Sequence, residues 1–223
     1  MKSPADISQH YDERAVQFGK SIRACHYHSE RSFRQRQKAI LSFFKNLRGK
    51  KILDVGCGPG LFTQPFSPGN FLVGVDLSEA MLRWARSSLK AVRSEAELLP
   101  FKKGSFDVVL AVEILQHLSD PEIFIKELAS SLRPGGELIL SAINQASLLH
   151  QLLVPFVSDY KTLHFHSLQR ILNLLHQQGF ACEEICFLAF PFPLSWRSLR
   201  RVPAFSGWAS SWILRSIKRG TNE

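Results

Sequence analysis

An apolar run, Lys51 to Val55, passes without a spacer into Gly56-Cys-Gly-Pro-Gly60, and a second apolar run, Phe71 to Val75, ends on Asp76. Few folds accept that arrangement. Glycines at alternate positions let the backbone turn sharply and approach a ligand with no Cβ in the way. An acidic residue that closes the next parallel strand can accept from both hydroxyls of a ribose at the carboxyl edge of a sheet. The dinucleotide fingerprint would need a glycine where Leu61 stands, and no Gly-Lys-Ser/Thr follows as a phosphate-cradling loop requires. The spacing excludes a P-loop, disfavours NAD and points to a nucleoside without a pyrophosphate.

The rest of the chain alternates. Ser29–Leu47 sets Phe33, Ile40, Leu41, Phe44 and Leu47 at helical spacing among basic residues. After the first strand the pattern predicts a helix from about Gly60, the strand 71–75 and a helix from Ser78, with Ser78 as its N-cap. A short strand near 91–93, a strand over 106–112 and a helix from Pro121 to Leu132 follow. The Pro-Gly-Gly turn at 134–136 leads to a strand over 137–142, and a helix near 167–178, ended by Gly179, precedes a strand near 184–190. Such alternation means a parallel sheet with helices on both faces.

At 223 residues one core suffices. No apolar run reaches the ~20 residues of a bilayer span, and Met1–His10 lacks the apolar centre of a secretory signal, so a cytoplasmic location is expected. The cysteines at 25, 57, 182 and 186 lack the paired spacing of a zinc site, and neither disulfides nor structural zinc is expected. The net charge of +9 is uneven: residues 1–50 carry 11 Lys/Arg against 4 Asp/Glu, and residues 195–223 carry 6 against 1. A basic rim of this kind steers an acidic substrate, nucleic acid or a membrane surface, or serves only solubility.

The glycine turn, Gly74-Val-Asp-Leu-Ser-Glu-Ala-Met81, Ala96-Glu-Leu-Leu-Pro-Phe101, Ser105-Phe-Asp-Val-Val109 and Leu132-Arg-Pro-Gly-Gly136 together resemble the class I S-adenosylmethionine-dependent methyltransferases, in order, over roughly residues 50–145. The resemblance implies an α/β, Rossmann-like, doubly wound and mostly parallel seven-stranded sheet. It implies a single methyltransferase domain over 1–223: an N-terminal helical lid (1–48), a cofactor-binding core (49–145) and an acceptor-side region with the final strands (146–223). S-adenosyl-L-methionine is the implied cofactor. Its implied contacts are Tyr11, Arg36, Asp54, Gly56, Cys57, Gly58, Gly60, Asp76, Leu77, Met81, Glu95, Ala96, Glu97 and Val112. Asp54 would hold the loop or meet the cofactor's ammonium group, Asp76 would take the ribose hydroxyls, and Glu95-Ala96 stands where relatives carry Asp-Ala toward the adenine. Tyr11-Asp-Glu-Arg14 and Phe18 resemble the segment that closes over the cofactor.

Val112-Glu-Ile-Leu-Gln-His117 narrows the resemblance to the quinone-biosynthesis O-methyltransferases, which carry Glu-x-x-Glu-His there. Arg36, ahead of Gly49-Lys-Lys51, stands where those enzymes place an arginine toward the cofactor carboxylate. Gln116 replaces their second acid, and an amide is a poor substitute for a carboxylate around a hard divalent ion, so no metal is expected. His117 is the candidate base, needed only where the nucleophile must lose a proton; its other reading is a helix-packing histidine. The acceptor is expected to be a small, lipophilic or aromatic molecule, methylated on oxygen, nitrogen or carbon by a monomer or homodimer. A noncatalytic nucleoside-binding or assembly module with the same fold is the alternative. RNA methylation is a third reading, but the absent Asn/Asp-Pro-Pro-Tyr/Phe signature argues against nucleic acid. In the tail, Trp196, Phe205, Trp208 and Trp212 alternate with Arg197, Arg200, Arg201, Arg215, Lys218 and Arg219, which suits a peripheral membrane contact. Alternatively, Trp212–Lys218 is the last strand of the sheet.

Overall fold

The computed structural model describes residues 3–27, 29–44, 47–148, 163–189, 194–198 and 209–220, with only the backbone of 194–198. Its elements run α1 (Pro4–Phe18), α2 (Glu30–Leu41), β1 (Lys51–Val55), β2 (Phe71–Asp76), α3 (Glu79–Ala85), β3 (Lys90–Arg93), β4 (Phe106–Val112), α4 (Pro121–Ser131), β5 (Leu132–Ile143), α5 (Leu168–Gln177), β6 (Phe180–Ala189), β7 (Leu194–Ser198) and β8 (Ser211–Lys218). Among the described residues these strands form one sheet of order β3-β2-β1-β4-β5-β8-β6-β7. The five strands from β3 to β5 are parallel; β8 runs antiparallel to both β5 and β6. Strand order reverses between β1 and β4, where ligands bind at the carboxyl ends of open α/β sheets.

Three expectations need correction. The seven expected strands are present, but an eighth, β7, pairs antiparallel with β6 and covers its otherwise open edge. The helix from Gly60 does not form; Pro65 and Pro68 cannot donate to a helix ladder, and only a short 3-10 turn, Gln64–Phe66, remains. Strand β5 begins at Leu132, ahead of the Pro-Gly-Gly segment, because Leu132 already pairs with Phe106 across an irregular register. The strand reading of the tail holds. Trp212 is completely buried in β8, Arg215 pairs with Glu137 at 3.0 Å, and Lys218 donates to the carbonyls of Ala129 and Leu132 at the end of α4. These three residues therefore serve the sheet; Trp196, Arg197, Arg200, Arg201, Phe205 and Trp208 lie outside the described side chains.

Successive strand residues point to opposite faces, and each face has its own core. Leu53 and Val55 of β1 share one with Phe124 and Leu128 of α4 and Ile171 of α5. Ile52 shares the other with Ile40 of α2 and Leu82 of α3. Full burial of each such side chain contributes about 1.5–3 kcal/mol relative to exposure. Each helix starts where a side chain can satisfy its free N–H groups: Ser29, Ser78, Asp120 and Ser167 cap α2, α3, α4 and α5. Helix α1 carries a full capping box between Ser3 and Asp6.

Helix α1 is held over the carboxyl edge. Its Ala15 packs with Met81 of α3, and its Ser8 hydroxyl donates to the Leu77 carbonyl at 3.0 Å. Asp12 accepts from the Ser78 hydroxyl at 2.6 Å and from the Ala80 N–H at 3.0 Å, so its charge sits at the positive end of α3.

At Gly74, in the middle of β2, a Cβ would fall 2.7 Å from both Cys57 Sγ and Leu89 Cδ1. Gly74→Val is expected to destabilise the fold by about 1–3 kcal/mol through overpacking, measured by urea denaturation. An unchanged midpoint would show that the turn can yield.

Candidate active site

The turn after β1 is bent back onto β2. Gly56 takes φ +72°, and its N–H and that of Cys57 both donate to the Val75 carbonyl, at 2.8 and 3.0 Å. A Cβ at Gly56 would lie 2.7 Å from Ile114 Cδ1, so glycine is required there on both counts. Asp76 completes the tie: one carboxylate oxygen accepts from the Gly58 N–H at 2.8 Å and the other from the Ser78 N–H at 2.9 Å. Each oxygen keeps a lone pair for a further donor. Burial raises the Asp76 carboxyl above its usual range, opposed by its backbone hydrogen bonds.

A cavity of about 230 Å³ opens above this turn. Of the residues expected around the cofactor, Tyr11, Gly56, Cys57, Gly58, Asp76, Leu77, Met81, Glu95, Ala96, Glu97 and Val112 line it, as does His117. Three do not. Gly60 lies behind the wall, against Leu89 and Ser88 at the end of α3. Asp54 is buried beneath the turn, where it accepts from the Thr63 hydroxyl, so of its two expected roles the structure gives it the holding of the loop. Arg36 is buried behind the cavity. It donates to the hydroxyls of Tyr27 and Ser211, the latter at 2.7 Å, and pairs with Glu113 at 3.2 Å. Burial opposes its charge, but Glu113 and Tyr27 outweigh that effect.

Sequence reasoning left Ile7, Cys25, Tyr27, Phe62, Glu113 and Ile114 out of the cofactor site, and all six line the cavity. Glu113 had a detectable signal, being the first acid after β4. It adopts φ +57°, uncommon for a residue with a side chain, and Ser141 holds it twice: the hydroxyl accepts from its N–H at 3.1 Å and donates to its carboxylate at 3.2 Å. Cys25 and Tyr27 arrive from the segment after α1, and no local pattern marks them. Gln116 is buried but absent from the wall, and its carbonyl accepts from the His164 N–H at 2.8 Å.

His117 sits in a short 3-10 turn after β4, its Nε2 3.0 Å from the Tyr11 hydroxyl, with the two rings edge to face. Burial, reinforced by Cys25 and Asp76, holds the Tyr11 phenol well above its usual range. The wall is acidic. Asp76, Glu95, Glu97 and Glu113 face the cavity, and no lysine or arginine is among its described lining residues. Glu97 is raised by burial first and by Glu95 next. Among the described residues no three His, Cys, Asp or Glu side chains form a metal-ligating group, and no helix is long and apolar enough to cross a membrane.

A mostly parallel sheet whose strand order reverses beside a glycine turn, with that turn tied to the acid ending β2, is a Rossmann-like fold. Residues 53–140 match the family described as Methyltransferase domain. Over 107 residues the chain is 35% identical to a ubiquinone biosynthesis O-methyltransferase of Coxiella burnetii, an alignment covering 44% of this chain and 46% of the relative. It is 38% identical over 120 residues to the enzyme of that description from Idiomarina loihiensis, covering 47% and 49%. The chain thus spans about half the length of the curated relatives it matches. In fold it is similar to a SAM-dependent methyltransferase of Thermotoga maritima described as a possible histamine N-methyltransferase (TM-score 0.75, 23% identity, 94% of this chain and 100% of that one). It is also similar to magnesium protoporphyrin IX methyltransferase of Synechocystis with bound SAH (TM-score 0.70, 19% identity, 98% and 100%).

S-adenosylmethionine suits these residues. Asp76 retains acceptor capacity toward a diol, the turn carries no Cβ at Gly56 or Gly58, and a wall with four acids and no described lysine or arginine suits a ligand bearing a sulfonium and an ammonium.

Asp54 is pushed up to about 8, by burial first and by Asp76 next. Since its folded value lies above the ordinary carboxylate value, it contributes stability that is fully present below about pH 4 and declines as pH rises toward 8. Asp54→Asn, which cannot ionise, is expected to flatten that decline in urea denaturation between pH 4 and 8. An equal decline in the variant would assign it to other groups.

Proposed function

We propose that the protein transfers a methyl group from S-adenosylmethionine to a hydroxyl of a small, lipophilic or aromatic acceptor. The single observation that carries this reading is the Tyr11–His117 contact on the wall of an otherwise acidic cavity, beside the end of β4. Bound there, the cofactor supplies an already activated methyl group. The chain then has two tasks, alignment and proton removal.

Alignment falls to the turn and the acids. Asp76 holds the ribose, Gly56 to Gly58 support the amino-acid end, and Glu95 with Ala96 faces the adenine. Fixing nucleophile and methyl carbon in line converts a bimolecular encounter into an effectively unimolecular one. Proton removal falls to His117. A phenol with a raised pKa stays protonated and can donate to Nε2 of the neutral imidazole, which orients His117 at the cavity wall. An incoming acceptor hydroxyl then replaces the phenol on Nε2 or passes its proton through it. Ile7, Phe62, Ile114 and Leu118 give the cavity the apolar surface that a ring-bearing acceptor would cover. The O-methyltransferase relatives support oxygen as the nucleophile.

Metal plays no part in this reading. Glu113 is already engaged by Arg36 and Ser141, and Gln116, an amide, lies off the wall.

Incubation with labelled S-adenosylmethionine and a panel of hydroxyarenes is expected to yield methylated product and the demethylated cofactor. A bound cofactor with no turnover across the panel would favour the noncatalytic binding module instead. Asp76→Asn is expected to weaken cofactor binding roughly ten- to a hundredfold, and His117→Asn to lower kcat about 10²–10⁴-fold with binding retained. Turnover should survive a chelator. Loss on chelation, with recovery on adding magnesium, would overturn the metal-free reading.

A further inference from the structure

Beyond the Tyr11–His117 pair lies a pair of imidazoles that the proposed reaction does not use. His10, on α1, and His26, on the segment that returns from α1 toward α2, bring their Nε2 atoms to 2.8 Å. The two rings lie within 18° of parallel, with centroids 5.0 Å apart. This is not a stack. The centroids exceed the nitrogen separation by roughly two ring radii, which requires nearly coplanar rings meeting end to end along the Nε2···Nε2 line. That is the geometry of an N–H···N hydrogen bond, in which one nitrogen donates and the other must be unprotonated. His26 adopts φ +59° to reach it.

The pair joins the two segments that roof the cavity. Helix α1 contributes Pro4, Ile7 and Tyr11 to the wall, and the returning segment contributes Cys25 and Tyr27. Tyr11 lies between the two sets of imidazoles: its ring meets His10 and His26 edge to face, at 5.4 and 5.7 Å, while its hydroxyl reaches His117. We propose that His10 and His26 share one proton as a latch that positions Tyr11 against His117 and keeps the roof over the cofactor closed, and that the latch opens when a second proton binds. This rests on the reading of the cavity as a cofactor site.

The direction follows from the donor count. With at most one positive charge, the pair has a proton to place between the nitrogens. With two, both Nε2 atoms carry protons, and two like charges face each other at hydrogen-bond distance. In an open roof each ring can be protonated near the ordinary histidine value of about 6.5. The closed state therefore resists the second proton, and closure is favoured above that pH and lost below it. The charged and titratable groups around the pair include Arg14 of α1, which donates to the carbonyls of Ala24 and Arg23; Cys25, its thiol pushed up to about 12 by burial; and Tyr11 with His117. Asp76 acts on both Tyr11 and Cys25, and Glu113 on Tyr11. Arg14 opposes the second proton and the two carboxylates favour it. Because Asp76 also titrates and touches the ligand, the test must separate its contribution from that of the pair.

Binding of S-adenosylhomocysteine, followed by calorimetry from pH 5 to 8, makes that separation when the full chain is compared with His10→Gln and His26→Asn. Asparagine tolerates the left-handed backbone at position 26. The expected result is an affinity that falls up to tenfold per pH unit below about 6.5 in the unaltered protein, and a much shallower fall in each variant. Equal slopes in all three would overturn the latch and assign the acid loss to the carboxylates. Hydrogen-exchange protection factors of residues 19–27, measured without ligand, read the latch directly. Protection that drops between pH 7 and 5 in the unaltered protein but not in the variants supports it even if no cofactor binds, in which case only the reading of the cavity fails. Protection independent of pH overturns it.

Discussion

The double hydrogen bond accepted by Asp76 is the contact on which the rest of the site depends. One oxygen holds the N–H of Gly58 and the other holds the N–H of Ser78, so a single carboxylate joins the turn after β1 to the start of α3. Charge-assisted bonds of this kind are about twice as strong as neutral ones, and here they are partly shielded from water. They bend the glycine turn over the end of β2 and open the space that becomes the cavity. The same Ser78 caps α3 and donates to Asp12, so α1 is fastened to the structure that shapes the floor. Roof and floor are thereby one hydrogen-bonded assembly, and a change in either reaches the other.

The distribution of charge follows from that geometry. Carboxylates collect at the carboxyl edge of the sheet, where burial raises the proton affinity of both Asp54 and Asp76 and the charge of Asp76 raises that of Asp54 further. Arg36 is committed behind the cavity to Glu113 and to the hydroxyls of Tyr27 and Ser211. Of the acids facing the cavity, Glu113 is paired with Arg36 from behind, while no described lining residue is a lysine or arginine. A cationic ligand relieves that imbalance, which is a physical reason for a sulfonium cofactor that is independent of any family likeness.

Arg36 also shows how far a sequence position can carry a role. Its place ahead of Gly49-Lys-Lys51 resembles that of a carboxylate-binding arginine, yet the side chain is committed to a network spanning α2, β4 and β8. The departure has a cause that only the fold reveals: Ser211 is 175 residues away in the chain and meets Arg36 because β8 inserts between β5 and β6.

The parallel sheet and most of the cavity floor were legible from residues alone, because they depend on local chemistry. Glycine spacing at 56, 58 and 60, an acid at the end of the strand 71–76 and serine caps before helices act within a few residues of themselves. The helix expected after Gly60 was misjudged for the same local reason, since Pro65 and Pro68 carried the contrary signal. Tertiary structure alone decided the roof: that Tyr11 meets His117 across 106 residues of chain, that His10 meets His26 end to end, that Cys25 and Tyr27 reach the cavity, and that Asp54 turns inward to Thr63 rather than outward to a ligand. Such contacts have no period and no motif. They arise where separate elements are brought together by burial of their apolar faces, and polar groups carried along with those faces must then find partners wherever packing has left them.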